Sequence, residues 1–191
     1  LRGAWQPLTN DAPGPVAGTI LMPTAGAGQS GGTPFLLLDK WESGVKDLSI
    51  WYPDQQAANI VAYPPAIGQT NTTHAIFLQN LNLVNAYDGI ILSNLASLAC
   101  VRNIYGSPLH EGLFQEGSAE VPRYLNLNFS PAYWAASGLS NAPAPNGPQA
   151  ACIYTNGTAV HIMGSDNIFP ANWNISGYYR GLYLERGTLD G

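Results

Sequence analysis

The sequence predicts an all-β fold built as a stack of coils of about 23 residues, and three observations lead there. They are a fixed internal period, alternation of apolar and polar side chains within each copy, and a composition rich in turn formers but poor in charge. Four segments align: Leu78-Gln79-Asn80-Leu81-Asn82-Leu83, Val101-Arg102-Asn103-Ile104-Tyr105-Gly106, Tyr124-Leu125-Asn126-Leu127-Asn128-Phe129 and Pro170-Ala171-Asn172-Trp173-Asn174-Ile175. Their Asn residues at 80, 103, 126 and 172 are separated by 23, 23 and 46 positions, the last step reading as two periods. A second mark follows eight residues later in Asp88-Gly89-Ile90, Glu111-Gly112-Leu113 and Arg180-Gly181-Leu182, with Trp134-Ala135-Ala136 in the equivalent place. An earlier relative, Val45-Lys46-Asp47-Leu48-Ser49-Ile50, precedes the Asn80 copy by 33 residues, one period plus a ten-residue insertion.

Alternation of period two on both sides of a turn-like centre is the pattern of a strand with one buried face. A unit of this length is too short for a helix-pair repeat but holds two or three short strands. One such coil cannot bury its inner face alone. Coils stacked about 4.8 Å apart pair strand with strand in parallel and enclose a continuous core, and eight periods would give a column on the order of 40 Å. Leu1-Arg2-Gly3-Ala4-Trp5 and Gly18-Thr19-Ile20-Leu21-Met22 read as degenerate first copies.

Composition agrees with this reading. The 191 residues are 46% hydrophobic and 10% charged, with 21 Gly and 15 Pro, which disfavours long amphipathic helices with charged outer faces. The length suits one domain over 1–191, with loop insertions at about 51–73 and 138–149. The chain starts at Leu1 without Met and stops after Leu189-Asp190-Gly191, so it reads as a piece of a longer protein. A net charge of −5 with scattered Lys and Arg leaves no electrostatic footprint for nucleic acid or an anionic membrane. No apolar run approaches the ~20 residues of a membrane span.

Cys100 and Cys152 form either one disulfide or two buried free thiols. Acceptor sequons for N-glycosylation stand at Asn71, Asn128, Asn156 and Asn174. With few Lys and abundant Asn, Thr and Tyr, the composition suits a secreted, extracellular protein.

Gly44-Val45-Lys46-Asp47-Leu48-Ser49-Ile50 and the run from Asn80 through Asn85-Ala86-Tyr87-Asp88-Gly89-Ile90 resemble rungs of the pectin-lyase-like superfamily, which includes pectate lyases, polygalacturonases, exo-glucanases and tailspikes. The resemblance spans roughly residues 44–190 at the level of repeat style. It implies a right-handed single-stranded parallel β-helix and a polysaccharide or oligosaccharide partner. The Gly-His-Gly motif of polygalacturonases is missing, since His74, His110 and His161 lie in other contexts, and the calcium-binding carboxylates of pectate lyases are not recognisable. No catalytic residue is carried over.

Read from the residues, the register itself nominates a surface. Asp88, Glu111, Trp134 and Arg180 would stack in one column, preceded by Tyr87, His110, Tyr133 and Tyr179. Carboxylates on adjacent coils, about 5 Å apart, suit the nucleophile and general acid of a retaining glycosidase, so Asp88 and Glu111 are the candidate catalytic pair. Trp134, Tyr87, Tyr133 and His110 would offer flat faces to sugar rings, while Arg180 and Arg123 could pair with acidic groups. Against this, Asp-Gly and Glu-Gly are ordinary turn chemistry, the Asn series suits a structural amide ladder, and His110 would point away from its neighbour Glu111 on a regular strand. Trp51, Tyr52, Asp54 and Tyr63 in the first insertion, and Glu116 and Glu120 near Arg123, are further candidates.

There is no Walker loop, dinucleotide fingerprint or His-Glu-x-x-His helix, and no serine lies in a Gly-x-Ser-x-Gly elbow. No cofactor or metal is indicated, with calcium left open. The expected function is cleavage of glycosidic bonds in a polysaccharide, by hydrolysis or elimination. The alternative is a non-catalytic carbohydrate-binding or structural module such as an adhesin segment or tailspike shaft.

Overall fold

Apolar residues one period apart pack on each other because the chain returns in register to neighbouring strands. The computed structural model describes residues 1–5, 11–93 and 95–187. In chain order its strands are β1 (Ile20–Leu21), β2 (Leu36–Leu37), β3 (Gly44–Ile50), β4 (Ile67–Gly68), β5 (Thr73–Leu83), β6 (Asp88–Leu92), β7 (Leu95–Gly106), β8 (Glu111–Ser118) and β9 (Arg123–Phe129). Helices α1 (Ala132–Ala135) and α2 (Pro148–Asn156) follow, then β10 (Thr158–Ser165), β11 (Phe169–Ala171), β12 (Asn174–Ile175) and β13 (Arg180–Glu185).

The strands form two sheets. One runs β1-β3-β5-β7-β9-β11 with β12 also on β9, and the other runs β13-β10-β8-β6-β4-β2. Every pairing between these strands is parallel. This corrects the expected single-stranded right-handed parallel β-helix: up to β10, successive strands go alternately to two separate sheets. A 23-residue period measures only how soon the chain returns to the same sheet. It is the same for either architecture.

The core lies along columns of residues that the registers line up. Leu48, Leu81, Ile104 and Leu127 form one column in the first sheet, and Val45, Leu78, Val101 and Tyr124 another. Ile67, Ile90, Leu113 and Val160 form the counterpart in the second sheet. All are buried, each contributing roughly 1.5–3 kcal/mol by leaving water.

Between the first two columns runs the polar ladder. Asp47, Asn80, Asn103, Asn126 and Asn172 all adopt left-handed backbone angles, with φ between 54° and 64°. Asn80 Nδ2 donates to Asp47 Oδ1 at 2.8 Å, Asn103 to Asn80 Oδ1 at 2.8 Å, and Asn126 to Asn103 Oδ1 at 3.1 Å. Arg2 Nε closes the acidic end on Asp47 Oδ2 at 3.0 Å. Asn tolerates this conformation better than other residues with a side chain, and its amide both donates and accepts.

Two spacings take on new meanings. Asn172 is not two periods beyond Asn126: β11 and β12 pair directly with β9, Asn174 opposite Asn128. The extra 23 residues are an excursion through α1 and α2 whose length coincides with the period. For the same reason Trp134 does not continue the column of Asp88 and Glu111. Thr158 does, followed by Arg180.

Helix α2 was unmarked in the sequence because it carries no charged residue; Pro148 starts it, Gly157 follows its end, and it buries Gln149 and Ile153. The predicted loop 138–149 thus runs into a helix, and the predicted loop 51–73 ends earlier, at β4. Asn141 ties the two excursions together. Its Oδ1 accepts from Trp51 Nε1 at 2.7 Å and Trp134 Nε1 at 3.2 Å, and its Nδ2 reaches the carbonyls of Tyr52, Pro53 and Gln55.

Two glycines of the second repeat mark, Gly89 and Gly112, have a packing reason. A Cβ at Gly89 would lie 2.4 Å from the Gly112 carbonyl oxygen, and one at Gly112 would lie 2.3 Å from that of Ala159. Gly112→Ala therefore forces neighbouring strands apart and is expected to cost about 1–3 kcal/mol, measured as a lower urea midpoint with an unchanged slope.

Candidate functional site

The Gly positions turn toward the core, where Cβ atoms would meet Leu83 at Gly89 and the Phe129 ring at Gly112. Their predecessors Asp88 and Glu111 open β6 and β8 and are directly in register with each other. Strand spacing alone brings such a pair to about 4.8 Å.

Their surroundings differ. Asp88 Oδ1 accepts from His110 Nδ1 at 2.8 Å and from the Glu111 backbone N–H at 3.2 Å, and Asp88 is only 8% exposed. Glu111 faces His161 Nδ1 at 3.4 Å, while His161 Nε2 lies 3.1 Å from Glu185 Oε2. Burial holds the Glu111 carboxyl above the ordinary carboxylate value; the His161 and His110 imidazoles pull it down, and Asp88 adds to the rise. Glu111 Oε2 is buried and accepts no hydrogen bond from the described residues. The two carboxyls thus sit in unequal settings: Asp88 Oδ1 is held by two donors, while burial raises the proton affinity of Glu111.

Aromatic groups flank both members. His110 stacks on Tyr87 with centroids 4.9 Å apart and planes 12° off parallel. His161 is wedged between Phe114, edge-on at 4.9 Å, and Tyr183 at 4.6 Å. On the exposed edge strand β13, Arg180 lies 5.1 Å over Tyr179 and 4.7 Å over Tyr183.

Of the sequence-derived candidates, the structure gathers Asp88, Glu111, Tyr87, His110 and Arg180 on one side of the second sheet. His110 avoids the expected opposition to Glu111 because it precedes β8 and strand alternation does not govern it. Trp134 and Tyr133 are corrections. Both are buried in α1, Trp134 bonded to Asn141 and Tyr133 donating its hydroxyl to the Asp11 carbonyl, so neither offers a face to a sugar. Arg123 opens β9 in the other sheet, in register with Cys100 and Phe169 and apart from the carboxyls. Of the four candidates in the first insertion, Trp51, Tyr52 and Tyr63 belong to the core and Asp54 is exposed. The sequence reading missed His161 and Glu185. Both lie in the same β10–β13 register as Arg180, a pairing hidden by the misplaced Trp134 copy.

Two open grooves of about 500 Å³ lie elsewhere, one by Pro131, Tyr154 and Gly177 and one by Met22, Phe35 and Pro64. Cys100 and Cys152 are free and half-buried. Among the described residues no group of three or more His, Cys, Asp or Glu side chains is arranged to hold a metal ion, and no helix is long and apolar enough to cross a membrane. Comparison with protein-family models, curated proteins and solved structures finds no match to this chain.

The Asp88 contact first, then the charges of Asp88 and Glu111, raises the His110 pKa above 6.5 against the opposing effect of burial. The stability this adds is complete below the ordinary imidazole pKa and is lost as pH rises through the folded one. Asp88→Asn is expected to lower the His110 titration midpoint, followed by imidazole NMR shifts, and to reduce that pH-dependent stability, the Glu111 contribution remaining.

Proposed function

We propose that the outer side of the second sheet is a carbohydrate-acting site at which Glu111 is the general acid and Asp88 the partner carboxylate in cleaving a glycosidic bond outside the cell. The observation that carries this reading is the strand register of Asp88 and Glu111 combined with their unequal environments. A strand spacing of about 4.8 Å is close to the ≈5–5.5 Å carboxyl separation of retaining enzymes. Burial and the neighbouring Asp88 charge supply the raised proton affinity that a general acid needs. The rings of Tyr87, His110, Tyr179 and Tyr183 provide planar faces beside the pair, and stacking on such faces suits the apolar side of a sugar.

A second reading, a non-catalytic carbohydrate-binding or structural module, is favoured by Asp88's burial and by the exposed apolar residues of β13, Leu182 at 50% and Leu184 at 66%. Incubation with a panel of polysaccharides, reading new reducing ends and unsaturated uronate absorbance, separates the two. The enzyme reading expects product that falls about 10²–10⁴-fold in Glu111→Gln and is lost in Asp88→Asn. Glu111→Gln is also expected to be more heat-stable than the parent at neutral pH, since ionised Glu111 is penalised by burial, with the difference shrinking on acidification toward the ordinary carboxyl pKa. Oligosaccharide binding without product from any substrate would favour the module.

A further inference from the structure

The first sheet carries a second constellation with chemistry of its own, away from the carboxyls. His74 on β5 and Ser97 on β7 are register partners, and the Ser97 hydroxyl oxygen lies 2.6 Å from His74 Nδ1. Their spacing of 23 residues is one period, so the same return of the chain that aligns the core brings a nucleophile to a base.

The local backbone departs from the ladder there. The register shifts between Thr73 and His74, as at a β-bulge. The residues after each member, Ala75 and Leu98, hold left-handed angles at φ 56° and 52°. Neither is Gly or Asn, the residues that normally accept this conformation. Bulges and strained backbone at such points re-aim side chains and recur beside reactive groups. Trp41, 71% exposed, meets the His74 ring edge-on at 4.9 Å and presents an open apolar face next to the pair.

We propose that Ser97 and His74 form a nucleophile–base dyad that cleaves acyl esters, an activity independent of the glycosidic site. In the tautomer protonated on Nε2, His74 Nδ1 accepts the hydroxyl proton as Ser97 Oγ attacks the ester carbonyl carbon. The tetrahedral intermediate collapses with cleavage of the bond to the alcohol oxygen, which takes the proton from the imidazolium and leaves as the alcohol. Water then attacks the acyl-serine through the same base, releasing the carboxylic acid and restoring Ser97. The Trp41 face suits an ester with a short apolar acyl chain.

The test treats the whole chain with a fluorophosphonate probe, maps the adduct by peptide mass spectrometry, and measures hydrolysis of p-nitrophenyl acetate and butyrate in parallel. The dyad predicts an adduct on Ser97, loss of adduct and of catalysed ester hydrolysis in Ser97→Ala, and at least a 100-fold slower rate in His74→Gln. Ser97→Cys, which keeps a nucleophile, should be labelled by iodoacetamide at a rate that drops when His74→Gln is added. Circular dichroism and melting curves establish that each variant is folded. Folded parent protein that gives no Ser97 adduct, or ester hydrolysis undiminished in Ser97→Ala, overturns the proposal and leaves the pair as a cross-strand tie.

Discussion

The rest of the structure depends on the amide ladder through Asp47, Asn80, Asn103 and Asn126. Each step fixes one strand of the first sheet against the next at a residue whose backbone has left the β region. A net hydrogen bond contributes about 1 kcal/mol, and a left-handed backbone costs ordinary residues roughly 1–2 kcal/mol, a cost that Asn reduces. The ladder therefore adds little stability. What it supplies is register, because a slip of one residue would leave half-buried amides unpaired and turn the flanking Leu and Ile side chains outward.

Fixed register carries the chemistry with it. When Leu81 lies on Ile104, the chain continues for the same distance in both layers and Asp88 meets Glu111. The same bookkeeping places Ser97 on His74 and, after the α1–α2 excursion, Thr158 and Arg180 beyond Glu111. Clustering ionisable groups in a chain with so few requires only that they fall at equivalent positions. Desolvation does the rest, raising the proton affinity of Glu111, while hydrogen bonding raises that of His110.

Much of this was legible in sequence. The 23-residue steps, the Asn ladder and the pairing of Asp88 with Glu111 follow from spacing alone and are present in the structure. Three things were not legible. A period cannot tell how strands are shared between sheets, so the two-sheet arrangement replaced the single-stranded β-helix. An insertion as long as the repeat mimics a repeat, which put Trp134 where Thr158 belongs and concealed His161 and Glu185. Side chains that look like a binding loop can be core: Trp51, Tyr52 and Tyr63 are rich in apolar area and join the hydrophobic core.

The ladder's role in holding register is tested most directly by a double-mutant cycle on Asn80→Gly and Asn103→Gly, since Gly keeps the left-handed backbone and removes only the side-chain amide. Urea unfolding of the two single variants and the double variant gives the coupling energy. If the ladder acts as one cooperative element the coupling is about 0.5–3 kcal/mol. Costs that add to within about 0.5 kcal/mol would mean that each Asn acts alone and that the apolar columns set the register without it.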